Sequence, residues 1–273
     1  MEAARRSRRH LVDPARRRGD QPLRGQARLL APEDTTGEVM TRKRRRKTEY
    51  PLIAYVVALI IVPVSKILAR CEFRGLDRLP DGPYILVANH VTKLDPLLMI
   101  RFVWEARRMP HFMAKASLFK LPIVGWVLSD SGQIPVDRHG HGGASVESAA
   151  KWLAKGQTVQ IYPEGTLTRD PDLWPMKGKS GAVRLAQEAN VPIVPVGQWG
   201  AQEILPPYGK GLHIFPRKRF TVQIGEPIPA ERFANLHTGA EFAEATADVM
   251  AAITAEVETL RGPKPIEAAG DTK

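Results

Sequence analysis

Cysteine is all but missing from this 273-residue chain. Cys71 stands alone, which excludes an intrachain disulfide and makes a reducing compartment the default. Metal-ligand spacing is missing as well: seven histidines and one cysteine fall into no pattern that would set three or four ligands around an ion, so no metal is expected. No charge-free run reaches the roughly 20 apolar residues that a membrane-spanning helix needs. The best candidate, Tyr50 to Ser65, has sixteen and stops at Lys66. No apolar core follows the Arg-rich start, so a secretory signal is not expected. Internal repeats are absent.

What is present is charge, unevenly spread. Residues 1–49 hold 15 Lys+Arg and 7 Asp+Glu, a net of +8 out of +11, while the remainder holds 25 against 22. The basic excess therefore belongs to an N-terminal arm, not to a folded domain. Residues 1–39 contain nine Arg and no Lys, few large apolar residues and no periodicity, a composition that predicts disorder. Met40, with a polybasic stretch behind it, is a candidate translation start. The cluster Arg42–Lys47 (RKRRRK) fits nuclear targeting or nucleic-acid binding by composition, but no folded reader of bases accompanies it, and no nucleic-acid partner is expected. Beside the apolar Tyr50–Ser65 segment it reads instead as attraction to anionic headgroups, worth about 1 kcal/mol per charge. That segment is too short to span and carries Pro63, so an interfacial or re-entrant helix fits it best. A buried core helix is the alternative.

The expected organisation is a disordered basic arm over 1–48, an apolar membrane-associating helix over 49–70, a folded domain over 71–262 and a disordered tail over 263–273. A polar linker through Arg74–Asp81 leads into alternating strands and helices. Strands are expected at Tyr84–Ala88, His111–Ala114, Gly132–Val136, Thr158–Tyr162 and Pro192–Val196, with Leu212–Phe215 and Phe220–Ile224 as a late hairpin. Helices are expected at Pro96–Arg107, Leu121–Leu128, Ser145–Ala154 (closed by Gly156) and Gly181–Ala189. A terminal helix carries Phe242, Ala245, Val249, Met250, Ile253, Val257 and Leu260 on one face. Continuous apolar strands alternating with helices predict an α/β fold with a mostly parallel central sheet flanked by helices.

The chain is organised around Tyr84 to Asp95 (YILVANHVTKLD). A short apolar run after a Gly-Pro turn is a buried strand, and it delivers Asn89 and His90 to its C-terminal end. Asp95 before Pro96 has the pattern of an N-cap followed by proline at the first helical position, so the helix is expected to begin at Pro96. On one straight helix His90 and Asp95 would sit about 140° apart. With His90 on a loop and Asp95 at a helix start, the carboxylate can fold back onto the imidazole. A histidine oriented by a carboxylate is a general base, and with no Ser or Cys nearby the nucleophile would be a substrate hydroxyl. The plainer alternative is a helix cap and a loop histidine.

Three further patches follow strands, at the edge where open α/β sheets hold ligands. Arg138 in GQIPVDR offers a planar donor fork to a phosphate, or else a salt bridge. Glu164, Gly165 and Thr166 in YPEGTLTR form a tight turn with backbone N–H groups, a carboxylate and a hydroxyl, or simply a turn. The prolines of Val191–Gly197 (VPIVPVG) confine that strand to a sheet edge or a bulge.

Taken in order, NHVTKLD, GQIPVDR, YPEGTLTR and VPIVPVG resemble the motif blocks of the 1-acyl-sn-glycerol-3-phosphate (lysophosphatidic acid) acyltransferase family, the glycerolipid acyltransferases with an H-x4-D motif. MAKASLFKLPIVGW and Lys179-Ser180-Gly181-Ala182 are similar too, and the likeness covers roughly Phe73 to Pro227. Two small departures are Thr92 where serine is commoner and Leu167 where arginine is common, which leaves Arg169 as a possible substitute contact. The resemblance implies transfer of an acyl chain from acyl-CoA or acyl carrier protein to the sn-2 hydroxyl of 1-acyl-glycerol-3-phosphate, with no bound cofactor. It makes His90 the base and Asp95 its orienter. Arg138, Glu164, Gly165 and Thr166 would hold the acceptor phosphate, with Asn89, Thr92, Lys115, Arg169 and Lys179 as further substrate contacts. Another lysophospholipid or glycolipid acceptor, or a non-catalytic anionic-lipid binder, are the alternatives. The implied partners are a lysophospholipid, the thioester donor and an anionic membrane surface. A cytosolic thioester and the positive-inside rule together imply a peripheral or monotopic protein on the cytoplasmic face of the cell membrane.

Overall fold

The structure is a computed structural model that describes residues 51–108, 110–137, 143–209 and 211–265. The expected basic arm, most of the tail and Arg138 lie outside those residues. The described chain runs α1 (Leu52–Leu68), β1 (Ala69–Arg74), β2 (Ile85–Ala88), α2 (Asp95–Glu105), β3 (Pro110–Lys115), α3 (Pro122–Asp130), β4 (Ile134–Val136), α4 (Gly143–Ala154), β5 (Thr158–Ile161), α5 (Gly181–Ala189), β6 (Ile193–Trp199), β7 (Lys218–Ile224) and α6 (Gly239–Arg261). The seven strands form one sheet in the order β1-β7-β6-β2-β5-β3-β4. All neighbours pair parallel except β6 and β7.

The central strands are apolar on both faces because helices cover both. Ile85 and Val87 of β2 pack with residues of α4, α5 and α6. Leu86 and Ala88 face the other way, onto Leu98, Met99 and Phe102 of α2. Terminal helix α6 starts with a capping box in which Thr238 and Glu241 satisfy each other's backbone N–H groups.

Four expectations need correction. The helix before the domain ends at Leu68, and Ala69–Arg74 is a strand pairing with Lys218–Ile224. Its Arg-Cys-Glu-Phe-Arg alternation is the half-buried pattern of a strand, but it follows the helix with no turn between them, so nothing local marks the change. Leu212–Phe215 is no strand; β7 lies between β1 and β6 rather than in a hairpin. VPIVPVG is an interior strand, not an edge. Pro195 sits where the pairing changes register, the bulge alternative: its carbonyl accepts from Gly225, and antiparallel pairing resumes at Ile193 and Ile228 one residue out of step. Finally, α2 starts at Asp95 itself, with Leu94 already helical; the Asp95 carboxylate turns back to the preceding loop instead of capping the helix.

Helix α1 passes through Pro63 and packs on α2, with Tyr55 edge-on to Trp104 at 6.0 Å. Ile53, Ala54 and Ala58 are buried, yet the outward face is apolar too. Leu52, Tyr55, Val56, Leu59, Ile60, Val64 and Ile67 are exposed, Leu59 by 77%. They recur at three- and four-residue spacing, one stripe along the whole helix. Among the described residues no helix is long and apolar enough to cross a membrane.

Candidate functional site

The site begins where β2 stops. Asn89 is buried and fully occupied in bracing β6: its Nδ2 donates to the Gln198 carbonyl at 3.0 Å and its Oδ1 accepts from the Gln198 N–H at 2.9 Å. The chain then turns, and three donors converge on one oxygen. Asp95 Oδ2 accepts from the backbone N–H of Val91 at 2.7 Å and of Thr92 at 2.9 Å, and pairs with His90 Nδ1 at 3.0 Å. The two backbone bonds fix the carboxylate, and the carboxylate fixes the imidazole. With Nδ1–H directed at Asp95, Nε2 is left as the free base. Thr92 is fully buried, its Oγ1 accepting from the Leu94 N–H at 2.8 Å. Asn89 and Thr92, expected at the substrate, instead shape the loop, because the buried backbone donors of a tight turn need internal acceptors.

Glu164 comes from the turn after β5. Gly165 closes that turn with its N–H on the Tyr162 carbonyl at 3.0 Å and a φ of +69°, which favours glycine. The Glu164 carboxylate was expected at the acceptor's phosphate end, but it is 4% exposed and points behind the histidine. Its two oxygens accept from the backbone N–H groups of His90 at 2.9 Å and Met176 at 3.1 Å. The His90 carbonyl in turn accepts from the Thr168 N–H at 2.7 Å. The block carrying Glu164 therefore grips the peptide groups on both sides of His90. The sequence placed Glu164 near a ligand; its neighbours make it a brace.

Burial pushes the Glu164 carboxyl from 4.5 to about 7, against the opposing pull of its two backbone donors. A raised acid pKa means that the folded chain holds the proton more tightly than the unfolded one. Stability from this group is thus greatest below 4.5 and declines as pH rises towards about 7. Glu164→Gln removes that titration. The difference in stability between wild type and variant is expected to shrink with rising pH across this window, by up to about 3 kcal/mol, read from melting curves at a series of pH values. An unchanged difference would show that the carboxyl does not titrate there.

Tyr162 is the contact that sequence reasoning missed, although it opens the same motif block. Its ring stacks on His90 with centroids 4.1 Å apart and planes 19° from parallel. Burial and the nearby Asp95 hold the hydroxyl pKa well above its usual value, so the phenol stays neutral.

His90 opens into a cavity of about 1160 Å³ that the sequence also did not reveal. Its apolar part lies between α1 (Val57, Ile61), α2 (Ile100, Val103) and α3 (Val124, Val127); Lys115, Gly165, Lys179 and the first residues of α5 line it too. The Lys179 side chain lies 3.3–3.4 Å from where a Cβ on Gly165 would sit, so the glycine leaves room for it. Thr166 and Arg169, both expected at the substrate, do not line this cavity; Arg169 is exposed, its N–H directed at Met176 Sδ. The structure thus brings His90, Lys115, Gly165 and Lys179 to the cavity wall, with Asp95 buried behind His90. It leaves Asn89, Thr92 and Glu164 in the supporting layer.

A family profile described as Acyltransferase matches residues 70–199. The 1-acyl-sn-glycerol-3-phosphate acyltransferase of Saccharomyces cerevisiae is 30% identical over 73% of this chain and 65% of its own length. The Bacillus subtilis protein of that name is 35% identical over 46% of this chain and 58% of its own. The first three curated relatives are matched over 46% to 65% of their lengths, so the chain spans about half to two thirds of them. Among solved structures, the 1-acyl-sn-glycerophosphate acyltransferase PlsC of Thermotoga maritima shares the fold, with a TM-score of 0.60 at 22% identity over 78% of this chain and 81% of that one. Ordered motif blocks, profile and relatives agree: residues 70–199 are a domain of the Acyltransferase family, similar to the 1-acyl-sn-glycerol-3-phosphate acyltransferases.

Proposed function

We propose that this protein transfers an acyl chain from a thioester, acyl-CoA or acyl carrier protein, to the sn-2 hydroxyl of 1-acyl-glycerol-3-phosphate at a membrane surface, giving phosphatidic acid. The observation that carries the reading is the His90–Asp95 pair opening into a large, mainly apolar cavity. His90 Nε2 takes the proton from the acceptor hydroxyl as its oxygen attacks the thioester carbonyl. Asp95 stabilises the imidazolium that forms. When the tetrahedral intermediate collapses, the C–S bond breaks and the imidazolium returns its proton to the leaving thiolate. No acyl-enzyme is required, which fits a base that, among the described residues, hydrogen-bonds no serine or cysteine.

The acceptor phosphate is assigned to the polar end of the cavity. Lys115, Lys179 and the N-terminus of α5, where Gly181 leaves open space, together favour an anion. Arg138 remains a candidate for the same phosphate. The acyl chain is assigned to the space between α1, α2 and α3, part of a cavity whose total volume of about 1160 Å³ exceeds the roughly 300–1,000 Å³ of ordinary ligand pockets. Val127→Trp, which fills this space from α3, is expected to lower kcat/KM for long-chain donors about tenfold and leave short-chain donors nearly unaffected. Equal losses for both would remove the chain from this cavity.

The exposed apolar stripe of α1 supports a membrane placement. Its seven exposed apolar side chains would each contribute roughly 1.5–3 kcal/mol if fully buried, against about 1 kcal/mol per charge from the basic cluster Arg42–Lys47. Insertion of the stripe dominates, and the helix lies flat as a monotopic anchor at the cytoplasmic face. The deciding experiment incubates the full chain with labelled acyl-CoA and a panel of lysophospholipids. Phosphatidic acid from lysophosphatidic acid is the expected product; transfer only to another acceptor would replace the substrate, and no transfer would end the enzymatic reading.

A further inference from the structure

We infer that the end of the β6–β7 connection, residues 208–209 and 211–217, is a second membrane-contacting element, one that seats the mouth of the cavity on an anionic bilayer. The inference rests on reading α1 as a membrane-lying helix and extends it to a segment that the proposed chemistry does not use. The loop joins β6 to β7. Because β7 is antiparallel to β6, the loop lies at the same sheet edge as the C-terminal ends of β2 and β5, where His90 and Glu164 sit. It is tied to the site directly: Tyr208 donates its hydroxyl to the Thr168 carbonyl at 3.1 Å, and the Thr168 N–H is the donor to His90.

The same loop meets the end of α1. Since β1 pairs parallel with β7, the C-terminal end of α1 arrives at this edge as well. Arg217 Nη2 donates to the carbonyls of Lys66 and Ala69 there. The exposed stripe of α1 ends at Val64 and Ile67, beside a loop whose own large apolar side chains face solvent: Phe215 is 83% exposed and Leu212 55%. A folded chain gains nothing by holding a phenylalanine in water, and single exposed apolar residues are ordinary. Here, however, the pair belongs to the loop that Arg217 ties to the end of that stripe, and it is flanked in sequence or through that tie by Lys66, Arg217, Lys218 and Arg219. An aromatic at headgroup depth, ringed by cations, fits a bilayer carrying anionic lipid better than it fits a protein groove. Contact at both α1 and this loop fixes two lines on the membrane, which orients the cavity mouth towards the leaflet that holds a lysophospholipid.

The test uses the full chain with Phe215→Cys in a Cys71→Ser background, labelled with a polarity-sensitive fluorophore and mixed with vesicles of phosphatidylcholine and phosphatidylglycerol. The emission is expected to shift to the blue on binding. A label at Glu231→Cys, exposed beyond the far end of β7, should stay unshifted. The unlabelled pair Leu212→Ser with Phe215→Ser should bind those vesicles about tenfold more weakly with its melting temperature unchanged. Bound protein with an unshifted label at 215 overturns the inference while leaving α1 as the anchor. A dimer in vesicle-free solution that the double variant disperses would assign the patch to self-association instead. Failure of the wild-type chain to bind vesicles removes α1's membrane role along with the loop's, and acyl transfer to a micellar acceptor would still report on the chemistry separately.

Discussion

His90→Ala is expected to lower acyl transfer by roughly 10²–10⁴-fold, the usual worth of a positioned general base. The fold should survive it. The histidine side chain is 15% exposed at the cavity wall, and the backbone bonds around it, from His90 N–H to Glu164 and from Thr168 N–H to the His90 carbonyl, do not involve the imidazole. The loss should fall on kcat, since the imidazole acts on a proton in flight and contributes little to holding either substrate. Circular dichroism and melting temperature close to wild type, together with single-turnover rates, separate lost chemistry from lost structure. A folded His90→Ala protein that acylates at the wild-type rate would show that another group accepts the proton.

Asp95→Asn is expected to be nearly as severe, on the order of 10³-fold in kcat, and for a different reason. Asp95 Oδ2 serves three donors at once, two of them backbone N–H groups. An asparagine has one oxygen to offer. If it faces Val91 and Thr92, its geometry no longer holds the neutral Nδ1–H tautomer with an ionised partner; if it turns over, an NH2 group meets two N–H donors and the loop opens. Some stability is lost as well, because Asp95 is 1% exposed and its backbone donors would be left without an acceptor. Asp95→Ala should therefore be less stable than Asp95→Asn, while both are inactive to a similar degree. Equal stability of the two variants would mean that the carboxylate does not hold the turn. The sequence pattern gave Asp95 a helix-capping role besides that of orienting His90, and a cap would weaken the start of α2 instead of the loop; amide hydrogen exchange at Val91 and Thr92 against that at Leu97 and Leu98 distinguishes the two.

Much of the architecture was legible in the chain itself, because it follows from local rules. Apolar runs bounded by Gly and Pro gave β2, β5 and β6, three- and four-residue periodicity gave α4, α5 and α6, and their alternation gave a mostly parallel sheet. The loop between a strand and a helix start was enough to bring His90 within reach of Asp95, since five residues of chain separate them and a turn closes that distance. The apolar, uncharged segment ahead of the domain marked α1 by composition alone.

What the sequence by itself could not decide is what each polar side chain does once the chain is closed. Glu164, Asn89 and Thr92 carry groups suited to a ligand, and a motif assigns them to one. Each was instead claimed by buried backbone: Glu164 by the N–H groups of His90 and Met176, Asn89 by Gln198, Thr92 by Leu94. Those demands come from segments up to 109 residues away and exist only after folding, when a peptide group removed from water must find a partner. The same holds for the cavity, which belongs to no segment but to the gap between α1, α2 and α3, and for β1, whose place in the sheet depends on a strand near the other end of the domain. Residue type and spacing determined which chemistry was available on this chain. Tertiary packing decided which groups were left free to perform it and which were spent holding them in place.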